Sequence, residues 1–304
     1  MRPFPTQLDY QDALLAPSLC FADPELSSST VIGKTSYGAP LPATGHFTNV
    51  YHLRSATGKE YAVRLFLHDD PQRSSHWATL SQHLNTLTDF PTPLVPFIYQ
   101  EAGFLLRGEW YPLVRMDWVD GIELHTWLDK NLYAQAQIAS IAQAWKQIQT
   151  DLLRAHFVHG DIQHGNLLWE RETGQLRLID YDGSMVPPLF ALPRRERGHP
   201  SYQHPLCFTT PQLPGGIHLD RFPLLVIYVT LRVLQVVPEV WYRLDNGENM
   251  LFRREDFTTP HSSRAFNILR SALMGYPQER RLVEILQSSC NLPLARVPLL
   301  QTLP

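Results

Sequence analysis

Few cysteines, no basic run and no long apolar run mark this 304-residue chain, and each shortage excludes something. The three cysteines, Cys20, Cys207 and Cys290, are odd in number, far apart and without a Cys-x-x-Cys pair. They argue against a disulfide framework and a cysteine zinc site, and fit a reducing, cytoplasmic setting. No cluster of Lys or Arg stands out, and the net charge is −3 with a pI near 6.5. Neither nucleic acid nor a membrane is therefore an expected partner. The start, Met1-Arg2-Pro3-Phe4-Pro5, lacks an apolar signal core, and the most apolar run, Phe222 to Val237, carries Arg232 and is too short for a membrane span. A buried helix capped by Asp220 is the expectation there. Glutamate is missing altogether between Leu67 and Gln100. The 13 histidines form no His-x-x-x-His pair near the motifs below, so they read as loop and core imidazoles.

What is present is one dense polar segment. His159-Gly160-Asp161-Ile162-Gln163-His164-Gly165-Asn166 is followed, after a hydrophobic run, by Ile179-Asp180-Tyr181-Asp182. Asp161 suits the task of orienting or deprotonating an acceptor hydroxyl. Asn166 and Asp180 offer hard oxygens to magnesium held against triphosphate oxygens. Leu167-Leu168-Trp169 and Leu176-Arg177-Leu178-Ile179 read as two short strands with Gly174 as turn residue, a hairpin that gathers the polar residues. A plain surface hairpin with a capping Asp is the alternative, and the joint spacing of three such residues argues against it.

These residues resemble the catalytic loop and metal-binding turn of the protein kinase superfamily, His-Arg-Asp with Asn five residues on, then Asp-Phe-Gly. His-Gly-Asp followed by Gly-Asn is also similar to aminoglycoside and choline phosphotransferases, so this segment leaves the acceptor open. Gly198-His199-Pro200-Ser201-Tyr202-Gln203-His204-Pro205 resembles the end of a protein kinase activation loop, which small-molecule kinases lack. Asp220 to Tyr228 is similar to the start of the central buried helix of the large lobe. Upstream, Thr44 to Tyr51 resembles the turn that covers the ATP phosphates, Tyr61 to Phe66 the Val-Ala-Ile-Lys strand, and Met116 to Gly121 the hinge.

The resemblance implies an α+β, bilobal protein kinase-like fold: a small antiparallel β lobe with one helix C, and a larger, mainly helical lobe. It implies ATP with Mg2+, or Mn2+, as cofactors. Nucleotide contacts fall on Gly45, Phe47, Val50, Ala62, Arg64, Asp117, Val119 and Leu168, metal ligation on Asn166 and Asp180, and catalytic roles on Asp161 and Arg64. The implied partner is a protein substrate presenting serine or threonine. His159 takes the family's packing place beneath the metal-binding turn.

Departures from the family pattern are specific. Gly45 alone survives of three expected glycines, with Ala43 and Thr48 at the others. Arg64 stands where the family has a lysine, a planar fork in place of a point charge. Without a glutamate from Leu67 to Gln100 the lysine–glutamate pair cannot form, so helix C, expected over residues 75–88, docks through Trp77, Leu80, Leu84 and Leu87. Gly160 replaces an arginine that in many protein kinases binds a phosphate on the activation segment, so modification between Asp180 and Pro205 is not expected to switch this chain; Arg194, Arg195 and Arg197 could stand in. Leu206 replaces the usual Glu after Pro205, which removes a buried ion pair.

Along the chain, residues 1–42 read as an N-terminal extension with a short helix near Tyr10 to Leu15, 43–117 as the small lobe and 118–304 as the large lobe with C-terminal helices. A helical stripe of Ile138, Ile141, Trp145, Ile148 and Leu152 is expected to pack under the catalytic loop. Three functions follow: a serine/threonine protein kinase, a nucleotide-binding pseudokinase acting as an interaction module, and a small-molecule phosphotransferase.

Overall fold

The computed structural model describes residues 4–45, 47–210 and 215–304; residues 1–3, and His46 in the expected phosphate-covering turn, lie outside the described residues. The chain divides into two compact units, one running to Thr86 and taking in Val95–Val119, the other comprising Leu87–Leu94 and Asp120–Pro304.

In the first unit, Thr6 caps helix α1 (Gln7–Ala13) reciprocally with Asp9, and Asp23 caps the single turn α2 (Pro24–Ser27). Strands β1 (Thr30–Val31), β2 (Ala43–Thr44), β3 (Thr48–Arg54), β4 (Glu60–Phe66), β5 (Phe97–Leu106) and β6 (Glu109–Asp117) form an antiparallel sheet ordered β1-β3-β4-β6-β5, with β2 also on β3. Helix α3 (Pro71–Asn85) lies between β4 and β5 in sequence. β5 is one strand whose register against β6 shifts between Gln100 and Phe104.

Alternation sorts the two faces of this sheet. Tyr51, Leu53, Tyr61, Val63 and Leu65 are buried on one face together with Tyr10, Leu14, Phe21, Leu26 and Val31 from the N-terminal segment. Polar bonds fix that segment: the Tyr10 hydroxyl donates to the Phe66 carbonyl at 2.6 Å, and Arg115 pairs with Asp23 at 2.5 Å. The opposite face carries Val50, Ala62 and Arg64, and α3 packs there through Trp77, whose ring meets Phe97 edge-on at 5.2 Å. Trp77, Leu80 and Leu84 are buried as expected of helix C. Leu87 falls past the end of α3, whose C-cap is Thr86; the helix also starts four residues earlier than expected, with Pro71 at its first position and Asp70 capping the Arg73 N–H.

The second unit begins with β7 (Gly121–Glu123), helix α4 (Leu124–Asn131) and helix α5 (Gln135–Arg154), then β8 (Leu167–Glu170) and β9 (Leu176–Leu178). β7, β8 and β9 form a three-stranded antiparallel sheet. The remainder is helical: α6 (Leu206–Thr209), α7 (Arg221–Val236), α8 (Trp241–Leu244), α9 (Arg254–Thr258), α10 (Arg264–Ala272) and α11 (Pro277–Ser289). α5 buries its whole expected stripe, and Trp145 donates its indole N–H to the Leu224 carbonyl at 2.9 Å, locking α5 onto α7. α7 is buried almost all round; its Arg232 is accommodated by an ion pair with Glu279 of α11 and a bond to the Tyr228 hydroxyl. Among the described residues no single helix is long and apolar enough to cross a membrane.

Candidate functional site

The loop 159–166 is held from below by one carboxylate. Asp220, 5% exposed, accepts the backbone N–H of His159 at 2.6 Å and that of Gly160 at 2.9 Å. Burial pushes its pKa up, against the pull of His159 and the two N–H donors. Asp220 does stand at the N-terminal boundary of α7, but its side chain makes no capping bond there. The expected cap is thus corrected: the buried loop amides have no other acceptor, and they take both oxygens.

The imidazole of His159, fully buried, bonds the Ile179 carbonyl through Nε2 at 2.9 Å and accepts the Asp161 N–H at Nδ1 at 3.3 Å. Those two partners place the ring proton on Nε2 and tie the loop to the residue before Asp180. Gly160 adopts φ +79°, and a Cβ there would lie 2.1 Å from the Gly183 carbonyl oxygen. No side chain fits, which accounts physically for the absence of the family's arginine.

Asp161 and Asn166 are in direct contact. The Asn166 amide nitrogen donates to the Asp161 carbonyl at 2.9 Å and to its carboxylate at 3.2 Å. That orientation leaves the side-chain oxygen of Asn166, Oδ1, as the atom for a cation. Across the ribbon, Leu167 pairs with Leu178 and the Ile179 N–H bonds the Asn166 carbonyl at 3.0 Å, so the backbones of Asn166 and Ile179 are neighbours at the open end of the hairpin. Asp180 follows at φ +66°, a left-handed conformation that few residues other than glycine adopt, and Asp is one that tolerates it. Leu168, expected to line the nucleotide, sits half-buried in β8 opposite Arg177 and Glu123. The structure thus brings Asp161 and Asn166 into contact, with Asp180 one residue beyond the backbone partner of Asn166.

The segment 194–204 is anchored on the same loop. His199 donates its backbone N–H to the Asp161 carboxylate at 2.6 Å, while Arg194 and Gln203 both donate to the Gly160 carbonyl, at 2.7 and 3.1 Å. Gly198, at φ +72°, leaves no room for a Cβ, which would approach the Asp161 carboxylate to 2.9 Å. Ser184 is fully buried and donates to the His159 carbonyl at 3.1 Å, so it belongs to the loop's support. Beside these, His164 accepts the Tyr202 hydroxyl at 2.7 Å; burial, with His125 and His199 nearby, pushes its pKa down to about 4. At neutral pH its ring is uncharged. His204, fully buried, bonds the Ser289 carbonyl at 2.9 Å and links this segment to the end of α11.

In the first unit, Gly45 makes a tight turn, its N–H bonding the Thr48 carbonyl at 2.8 Å. Phe47 is 41% exposed and carries the Arg73 guanidinium over its ring at 4.4 Å. Val50 and Arg64 are cross-strand partners, and Ala62 lies on the same face. The Arg64 guanidinium stacks over the Trp77 ring at 5.3 Å, so a cation–π contact occupies the place where the family sets an ion pair with helix C. Asp117 ends β6 with its N–H on the Pro96 carbonyl and its carboxylate 3.0 Å from Lys59; Val119 follows outside the ladder.

Sequence reasoning missed Asp220 as a loop clamp, His199 as a donor to Asp161, and Arg73.

An Mg2+ ion fits this donor set: one carboxamide oxygen and one carboxylate, all hard oxygens, with the remainder of an octahedron left to water and phosphate. Among the described residues no group of three or more His, Cys, Asp or Glu is arranged to hold a metal unaided.

Residues 81–187 match the family model of the ABC1 atypical kinase-like domain, a stretch that contains the loop, the hairpin and Asp180. Over that stretch the chain is similar to an atypical kinase-like domain, in keeping with the resemblance its motifs carry. Among curated proteins, none matches the chain.

Proposed function

We propose that this chain is an ATP-dependent phosphotransferase of the protein kinase-like kind, transferring the γ-phosphate of Mg-ATP to a serine or threonine hydroxyl of a protein. The observation that carries the reading is the contact of Asp161 with Asn166 beside Asp180, on a loop clamped by Asp220. Residues 43–117 take the part of the small lobe and 118–304 that of the large lobe, which carries Asp161, Asn166 and Asp180. Asn166 and Asp180 would hold the metal. Bound there, it neutralises charge developing on the phosphates.

Asp161 orients the acceptor hydroxyl and takes its proton. One of its oxygens is fixed by His199 and the other by Asn166, so the carboxylate is pre-positioned, and positioning is most of what this chemistry needs. Arg64 supplies a cation toward the phosphates from β4. Because Arg194, Gln203 and His199 already tie the segment to the loop, its order does not depend on phosphorylation. Three buried, unpaired thiols accord with the cytoplasmic setting proposed here.

The Arg64–Trp77 stack supports a second reading, a nucleotide-binding pseudokinase that acts as an interaction module, because it draws the guanidinium onto an aromatic face. Incubation with labelled ATP, Mg2+ or Mn2+ and a generic basic protein decides between them. The expected result is label on protein with wild type and none with Asp161→Asn. Equal labelling by both proteins contradicts the catalytic reading.

A further inference from the structure

In the second unit, a depression of about 360 Å3 is lined by three arginines from three separate places: Arg243 on α8, Arg253 just before α9, and Arg264 at the first turn of α10. None of the three makes a side-chain hydrogen bond or ion pair with the described residues. Such convergence is unfavourable by itself, since like charges brought together repel.

The placement is built. Asp256, 8% exposed, accepts the Arg253 N–H at 2.8 Å on one oxygen and the Ser263 hydroxyl at 2.6 Å on the other, which binds the start of α9 to the start of α10 and so fixes the backbone from which the two flanking arginines project. Its carboxylate is thereby committed inward. Glu255 is the other acid on the rim and is exposed. The lining hydroxyls of Ser263, Ser262 and Thr259 give their hydrogens to Asp256 and to backbone carbonyls, so they have no proton to offer a ligand. Recognition falls to the guanidinium groups.

We infer that this depression is a binding site for a phosphate monoester dianion, separate from the phosphoryl-transfer site. A carboxylate satisfies one guanidinium fork, whereas a phosphate monoester has three oxygens and a charge of about −1.5 to −2 at neutral pH, matching three forks. The ligand is either a small phosphorylated molecule or a phosphorylated side chain of another protein, which share this chemistry.

The test is calorimetric titration of the full chain with inorganic phosphate, O-phosphoserine, a phosphoserine heptapeptide and its unphosphorylated twin. Saturable binding of the phosphorylated probes is expected, weakened roughly tenfold by Arg253→Gln and again by Arg264→Gln, as charge-assisted bonds are lost. Both arginines are exposed, so the variants keep the wild-type melting temperature. A phosphopeptide that binds more tightly than phosphoserine identifies a phosphorylated chain as the source, and equal affinities identify a small molecule. No saturable binding, equal binding by the double variant, or equal binding of the unphosphorylated peptide overturns the inference.

Discussion

The Asp220 carboxylate accepts the backbone N–H of His159 at 2.6 Å across 61 residues of chain, and this bond fixes the loop on which the proposed chemistry rests. A second bond from Gly160 takes the other oxygen. Replacement by alanine leaves two buried donors without acceptors, at about 1 to 3 kcal/mol each. Asp220→Ala is expected to lose roughly 2 to 5 kcal/mol in urea denaturation. A loss inside the surface range of about 0.5 kcal/mol contradicts the clamp.

Gly160→Ala tests the same loop from above. Its added carbon meets a backbone oxygen that cannot step aside cheaply, and φ +79° costs a further ~1 to 2 kcal/mol for an L-residue. Loss of phosphoryl transfer together with reduced stability is the expected outcome. Wild-type labelling and an unchanged urea midpoint are the contrary one.

Residues 4–42 give the sheet a second hydrophobic layer, and Tyr10 is its most committed residue: fully buried, edge-on to Phe104 at 5.2 Å and bonded to Phe66. Tyr10→Ala is expected to cost about 3 to 5 kcal/mol, the range for deleting a buried aromatic side chain. Truncation to residue 43 exposes Tyr51, Leu53 and Tyr61 and lowers the melting temperature further. An unchanged melting temperature in both proteins refutes the packing role.

Legibility in the sequence followed distance along the chain. The hairpin, α5, α7 and the apolar face of α3 were readable because periodicity and turn residues are local signals. Asp161 and Asn166 were readable by spacing. Asp220 was noticed and given the wrong partner, since a carboxylate before a helix ordinarily caps it, and nothing local reveals that buried loop amides lie within reach. The missing glutamate after Pro205 was legible, but the His204–Ser289 bond that ties this segment to α11 was not, because it spans 85 residues. In the N-terminal segment, rich in Pro and Ser, no local periodicity marks which of the scattered Tyr10, Leu14, Phe21 and Leu26 share one face.

His204 also predicts a pH dependence. Burial holds its pKa below the ordinary 6.5, and both ring nitrogens are engaged in the neutral form, Nε2 with Ser289 and Nδ1 with the Leu206 N–H. The unfolded chain binds the proton more readily, so this contribution is complete above about pH 6.5 and is lost as pH falls below it. His164 and His199 are shifted the same way, chiefly by burial. The urea midpoint of wild type is expected to fall between about pH 7.5 and 5.5, and that of His204→Leu to fall less. Parallel losses in the two proteins contradict this assignment.

The central claim is that Asn166 and Asp180 meet a divalent cation carried by a nucleotide. Thermal-shift titration with ATP, with and without Mg2+, on wild type and Asp180→Asn measures it most directly. The expected result is a rise in melting temperature with ATP that grows when Mg2+ is added, and a variant in which the Mg2+-dependent part is gone. Absence of any shift in wild type, or an identical Mg2+ response in the variant, contradicts the claim.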